Sequence, residues 1–168
     1  MDRTVREGRL SLDRPGARPH PSRMEAWQAR LLEDERSGVL GTIARSGLPQ
    51  LVPVCYALVE GDIAIAIDEK PKQGGRLARI RNIERDPRAT LLVDHYEERW
   101  ERLAWLRLEG EASVLDGGGE WPAALEALRR RYPRYRAMAL EGLPLIRLRP
   151  TRVVGWRWQD GRASEQQT

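Results

Sequence analysis

The chain has 168 residues, 40% of them hydrophobic and 32% charged, with a formal net charge of +4 and a pI near 9.7. That is enough for one domain with a real core, and no apolar run approaches the ~20 residues of a membrane-spanning helix. The single cysteine, Cys55, excludes an internal disulfide and points to a reducing, cytoplasmic setting.

All but two of the 29 basic residues are arginines and phenylalanine is absent. This composition fits a GC-rich genome, so the positive charge argues little for nucleic acid. Residues 1–22 mix Gly, Pro and Arg without periodicity and lack the apolar core of a signal peptide. They read as a disordered extension, or as residues ahead of a true start at Met24, before a domain of residues 23–159. Ser22-Arg23-Met24-Glu25 has capping-box spacing and predicts a helix to about Arg36 with Trp27, Leu31 and Leu32 inward. Val39–Ala44 reads as a strand, Ser46-Gly47 as a turn and Pro49–Val59 as a second strand, in which Pro53 implies an edge, a bulge or a strand end. Gly61-Asp62 leads into a third strand, Ile63–Ile67, and the three predict an antiparallel meander.

A polar loop follows, and then Leu77, Ile80 and Ile83 recur at helical spacing until Asp86-Pro87 stops the helix. Arg88–Tyr96 reads as a buried strand. Ala104–Leu115 alternates, with Trp105, Arg107 and Glu109 on one face and Leu106 and Leu108 on the other. After the glycine loop Gly117–Gly119 comes a helix closed by Pro133, and a short helix ends near Gly142. Two closing strands are expected in Leu143–Trp158, broken at Pro150, and residues 160–168 are expected to form a disordered tail. Antiparallel strands with few long helices predict a mainly β, α+β domain, a small barrel that removes its sheet edges by closure.

The common chemical signatures are absent. There is no G-x-x-x-x-G-K-[ST] loop and no G-x-G-x-x-G after a strand. With only His20 and His95 in the chain, no histidine metal site is expected. His95 reads as a strand-end histidine held by a hydrogen bond, and Cys55 as a small core residue. What stands out is "DEKPKQGG", Asp68–Gly75, which holds the only two lysines, Lys70 and Lys72, between a strand and a helix that begins near Arg76. Free N–H groups at a helix N-terminus, glycines and mobile point charges together suit a phosphate. A solvated charged loop is the alternative reading.

The stretches "VLGTIARSGLPQLVPVCY", "GDIAIAIDEKPK", "RLARIRNIERDPRATLLVD" and "WLRLEGEASV" resemble the split-barrel flavin-binding family of the pyridoxamine-phosphate-oxidase type, over roughly Met24–Trp158. "RNIERDPRATLLVDHYEERWERLAWLRLEG" and the closing "RPTRVVGWRW" resemble most the actinobacterial branch dependent on the deazaflavin coenzyme F420. The resemblance implies a split β-barrel with flanking helices, a homodimer with two sites at its interface, and F420 or alternatively FMN as cofactor. It implies an oxidoreductase that moves hydride to or from a small organic molecule, with a non-catalytic flavin- or haem-type binding module as the alternative. Carried over by position, Lys70 and Lys72 match the basic loop, Arg79 and Asn82 lie on the helix near the phosphate, and Val52, Pro53 and Val54 face the ring system with their backbone. Trp105 and Arg107 occupy the strand that completes the site from the partner subunit, and Arg76, with Arg79 and Arg81, suits an acidic cofactor tail. Tyr56 and His95 are candidate proton donors. Hydride transfer needs no nucleophile or metal from the protein, which accords with the missing signatures.

Overall fold

The computed structural model describes residues 24–67, 77–159 and 162–167. Helix α1 (Ala26–Asp34) is followed by strands β1 (Gly38–Ile43), β2 (Pro49–Val54), β3 (Tyr56–Val59) and β4 (Asp62–Ala66). Helix α2 (Ala78–Arg85) precedes β5 (Arg88–His95) and β6 (Ala104–Leu115); α3 (Trp121–Arg131), β7 (Leu145–Gln159) and β8 (Arg162–Gln167) complete the order. The α1 box sits three residues later than the sequence predicts. Glu25 is the N-cap, and its N–H donates to Gln28 Oε1 at 3.0 Å. No described helix is long and apolar enough to cross a membrane.

The strands form one antiparallel sheet in the order β2-β1-β5-β6-β7-β4-β3, with β8 paired to β7. The end strands β2 and β3 are consecutive in the chain and separated by Cys55 alone. Two virtual bonds reach at most roughly 7 Å, so the sheet must curl until its two ends lie side by side. The expected meander is therefore two hairpins, β1-β2 and β3-β4. The run Pro49–Val59, expected as one strand, is two strands at opposite ends of the sheet. Pro53 is tolerated because β2 pairs only with β1 and needs no N–H on its other side.

The inner face packs Leu40, Leu91, Leu106, Leu108, Ile146 and Leu148 with Leu31 and Leu32 of α1 and Ile80 and Ile83 of α2. A second cluster lies outside the curl, where α3 places Ala124, Leu125 and Leu128 on Ala57, Ala64, Ala66 and Leu145. Alanines on β3 and β4 leave room for the helix to approach.

Two expectations for the C-terminal part are corrected. The closing strands are a single strand of 15 residues, β7, with a register shift opposite Glu109/Gly110 that absorbs Pro150. Gly110 is required there, because a Cβ would stand 2.0 Å from the Arg149 carbonyl oxygen. The tail expected to be disordered from residue 160 contains β8, paired with β7 from Val154↔Gln167 to Gln159↔Arg162. β4 covers only the Leu145–Leu148 half of that edge of β7, so the second half offers unpaired backbone that β8 satisfies.

One phenol completes the exposed edge of β3. Tyr56 N–H donates to Tyr132 Oη at 3.0 Å, and Tyr132 Oη lies 2.7 Å from Tyr56 O and 2.8 Å from Arg36 O, its single proton shared between the two carbonyls. Arg131 Nη2 donates to Leu32 O at 2.8 Å and also to Glu35 O, a cation on the C-terminal carbonyls of α1. Tyr132→Phe keeps the ring contact with Tyr135 (centroids 5.4 Å apart) but strands a backbone N–H and C=O. The expected loss is about 1–3 kcal/mol, read as a lower denaturant midpoint with unchanged slope.

Candidate functional site

α3 covers only part of the outer face. The rest is a lattice of side chains fixed by the strand register. One row runs Leu51–Gly41–Thr90–Glu109–Arg152, the next Pro53–Val39–Leu92–Arg107, and the third Asp94–Trp105–Trp156. These residues alternate with the inner core positions, as the two-residue period of a strand demands. All of them but Pro53, Glu109 and Arg152 line a cavity of about 690 Å³, walled by Leu51, Tyr96, Leu103, Trp105 and Trp156. Gly41 keeps its floor low: a Cβ there would stand 3.2 Å from Leu51 Cδ2. Leu51 (67% exposed), Tyr96 (84%), Trp100 (65%) and Leu48 (67%) are the large apolar side chains left most exposed among the described residues.

The charges on this face are ordered. Glu109 accepts from Arg107 Nε at 2.6 Å and from Arg152 Nη1 at 3.2 Å. The Arg107 guanidinium lies 5.9 Å from the Trp105 ring centroid, within cation–π range. Asp94, next to Trp105 on the neighbouring strand, has no hydrogen bond or ion pair with another described residue.

The pyridoxamine 5'-phosphate oxidase family profile matches residues 24–157. The chain belongs to this family. No curated protein matches the sequence. Among solved structures the fold is similar to the conserved hypothetical protein Rv2991 from Mycobacterium tuberculosis (24% identity, TM-score 0.63, 80% of this chain and 84% of that one). It is also similar to a haem-binding protein from Mycobacterium smegmatis (23%, 0.62, 86% of this chain but 58% of that one). A third likeness is to a FAD-binding protein from Mesorhizobium loti (21%, 0.58, 79% and 94%). These likenesses establish the oxidase-type split barrel.

On this split barrel the residues singled out in the sequence separate into groups. Trp105 and Arg107 line the cavity. Pro53 shares the outer face, whereas Val52 and Val54 turn inward, with Val54 in the core. Asn82 is 5% exposed and donates to Thr42 Oγ1 at 3.1 Å and Gln50 Oε1 at 2.7 Å, so its amide pins α2 to β1 and β2. Arg79 is half-buried on α2. Lys70, Lys72 and Arg76 lie outside the described residues. Sequence reasoning did not single out Gly41, Leu51, Leu92, Asp94 or Trp156; strict alternation about Leu40 and Leu91 places Gly41, Leu92 and Asp94 on the outer faces of their strands.

Neither candidate proton donor reaches the cavity. Tyr56 is fully buried in the inner core, and its hydroxyl lies 2.9 Å from Leu32 O and 3.1 Å from Glu35 O. Burial pushes its pKa far up, against the opposing effect of Arg131. His95 has the strand parity of Leu91 and Val93, the face away from the cavity. Its Nδ1 lies 2.7 Å from Glu35 Oε1 and its Nε2 3.6 Å from Glu97 Oε1. The hydrogen bond to Glu35 raises the His95 pKa above its ordinary 6.5. A raised folded pKa gives stability that is complete below the unfolded value and is lost as pH rises through the folded one. The melting temperature is therefore expected to fall as pH rises above about 6.5. In His95→Gln that decline should flatten, as measured by thermal melts in buffers of constant ionic strength.

Proposed function

We propose that the chain is an oxidoreductase that binds coenzyme F420, or FMN, at a dimer interface and moves hydride to or from a small organic molecule. The observation that carries this reading is the apolar cavity of about 690 Å³ on the outer sheet face. It is built on strand backbone, kept flat by Gly41 and edged by aromatics. Such a floor fits a planar ring system, and hydride transfer rewards a dry, rigid ring pocket. When bound, the cofactor would supply the hydride. The protein's part is to hold the ring on Val39, Gly41 and Leu92, to present Arg107 beside it, and to exclude water with Leu51, Tyr96 and Trp105. The phosphate falls to Lys70 and Lys72, in the segment that joins Ile67, the residue after β4, to Leu77, the N-cap of α2. The family membership and the FAD-binding neighbour support a flavin-type cofactor; the F420 preference rests on the sequence resemblance.

The dimer follows from the same surface. Leu48, Leu51, Tyr96 and Trp100 are large apolar side chains left exposed, the kind of surface that a partner covers. A second copy would cover it with a two-fold interface of at least ~1,200 Å². The haem-binding alternative finds less support. Both ring nitrogens of His95 face carboxylates on the side away from the cavity, and His20, the other histidine, lies outside the described residues.

Titration of the purified protein with F420 and with FMN, followed by cofactor fluorescence, is expected to give saturable binding of one of them, followed by turnover with an organic acceptor. No binding of either would overturn the proposal. Lys72→Ala is expected to weaken the bound cofactor by about 1.5–3 kcal/mol, tenfold or more, without lowering the melting temperature. Sedimentation should show a dimer at micromolar concentration. Leu51→Glu, which puts a charge into the buried face, should give a folded monomer.

A further inference from the structure

We infer that the outer-face cavity selects organic cations: apolar, ring-bearing molecules with a protonated amine or another positive nitrogen. The inference rests on the proposed function: with the cofactor ring on Val39, Gly41 and Leu92, it assigns the substrate to the aromatic end of the same cavity, at Asp94, Tyr96, Trp105 and Trp156, and adds its class. Asp94 supplies the charge. It lines the cavity, lies directly opposite Trp105 across the β5-β6 ladder, and Trp105 in turn lies opposite Trp156. Side chains directly opposite on one face have Cβ atoms about 5 Å apart, so carboxylate and both indoles converge on one volume. Tyr96 adds a third aromatic wall. A carboxylate among aromatic faces recognises a cation twice, by ion pairing and by the ring quadrupoles.

The nearby arginine does not cancel this. Arg107 sits one row away, diagonal to Asp94, within reach of a long side chain. It is nevertheless drawn to Glu109 at 2.6 Å, and Glu109 also takes Arg152. Asp94 is left without a partner among the described residues, at the aromatic end of a cavity whose middle is Val39 and Leu92. Apolar body toward the ring that Val39 and Leu92 would carry, positive nitrogen toward Asp94, is the orientation the lattice favours. A carboxylate-bearing ligand of the same shape would meet Asp94 as a like charge, with Arg107 already engaged.

The experiment is calorimetric titration of the full chain with naphthylmethylammonium, naphthylmethanol and naphthoate, three probes of similar shape and different charge. The cation is expected to bind roughly tenfold more tightly than the neutral alcohol, the scale of one ion pair with cation–π support, and the anion most weakly. Asp94→Asn removes an exposed charge that has no partner among the described residues and should fold normally; it should bring the cation and alcohol together. Trp156→Leu should weaken the cation more than the alcohol. Equal affinities of wild type for the three probes, or a preference that survives Asp94→Asn, would overturn the inference. A parallel wild-type titration with F420 and FMN separates the two proposals. Cation selectivity without cofactor binding overturns the oxidoreductase reading alone, and cofactor binding without charge selectivity overturns this one alone.

Discussion

A single residue between two edge strands shapes this protein. β2 and β3 stand at opposite ends of the sheet order, yet only Cys55 separates them. An extended run of eleven residues would have made one long strand; breaking it at Cys55 brings the ends of an otherwise open sheet together. The break leaves Tyr56 N–H and C=O facing outward from β3, and the Tyr132 hydroxyl takes the place of a neighbouring strand for both. Arg131, the preceding residue, caps the end of α1. Closure of the curl, the C-terminus of α1 and the C-terminus of α3 therefore meet at one point. Tyr56 is better explained as the centre of that knot than as an acid.

Curling gives the sheet two faces of different character. The inner face is filled by α1 and α2. On the outer face, the small side chains Ala57, Ala64 and Ala66 admit α3 over β3 and β4, while Val39, Leu51, Leu92, Trp105 and Trp156 project too far to be covered in the same way and remain available. Charge is graded across that open area. Arg147 and Arg149 pair with Asp62 and Glu120 at the margin of α3, Arg107 and Arg152 share Glu109, and Asp94 stands by itself among aromatics. A surface meant only to stay hydrated would not combine exposed Leu51, Tyr96 and Trp100 with an apolar cavity.

Much of the fold was legible because strand alternation and breaker residues are local signals. Ala104–Leu115 matched its strand end to end, with Leu106 and Leu108 inward, because both faces of β6 obey a strict two-residue period. The failures were failures of context. Nothing within Pro49–Val59 says that its halves pair with different partners, since that depends on where β4 and β7 lie. Pro150 reads as a strand breaker, yet a register shift at Gly110 accommodates it. One failure had a usable local signal: Asp160-Gly161 between Gln159 and Arg162 is the two-residue sequence favoured in hairpins, and it preceded the strand β8. Of the site, Trp105 and Arg107 were visible as an alternating face. Asp94 alternates with Leu91 and Val93 within its own strand, but that it stands opposite Trp105 depends on the β5-β6 register, which no local signal carries.

The site's chemistry follows from its support. Most residues facing the cavity stand on strands whose opposite faces are locked in the core, so their Cβ positions are fixed by the same register that builds the barrel. Leu92 cannot shift without moving Leu91, nor Trp105 without moving Leu106, and both inner neighbours are fully buried. A floor of this kind suits a reaction in which the protein contributes position rather than a reacting group. The wall is different: Tyr96 and Leu103 lie in the connection between β5 and β6, where Trp100 is exposed and, among the described residues, Glu97 pairs with His95 and Arg102. Floor and wall divide the labour. On the proposed reading the sheet sets where a ring lies and the connection sets what approaches it, so substitutions in residues 96–103 are expected to alter substrate choice without disturbing the fold.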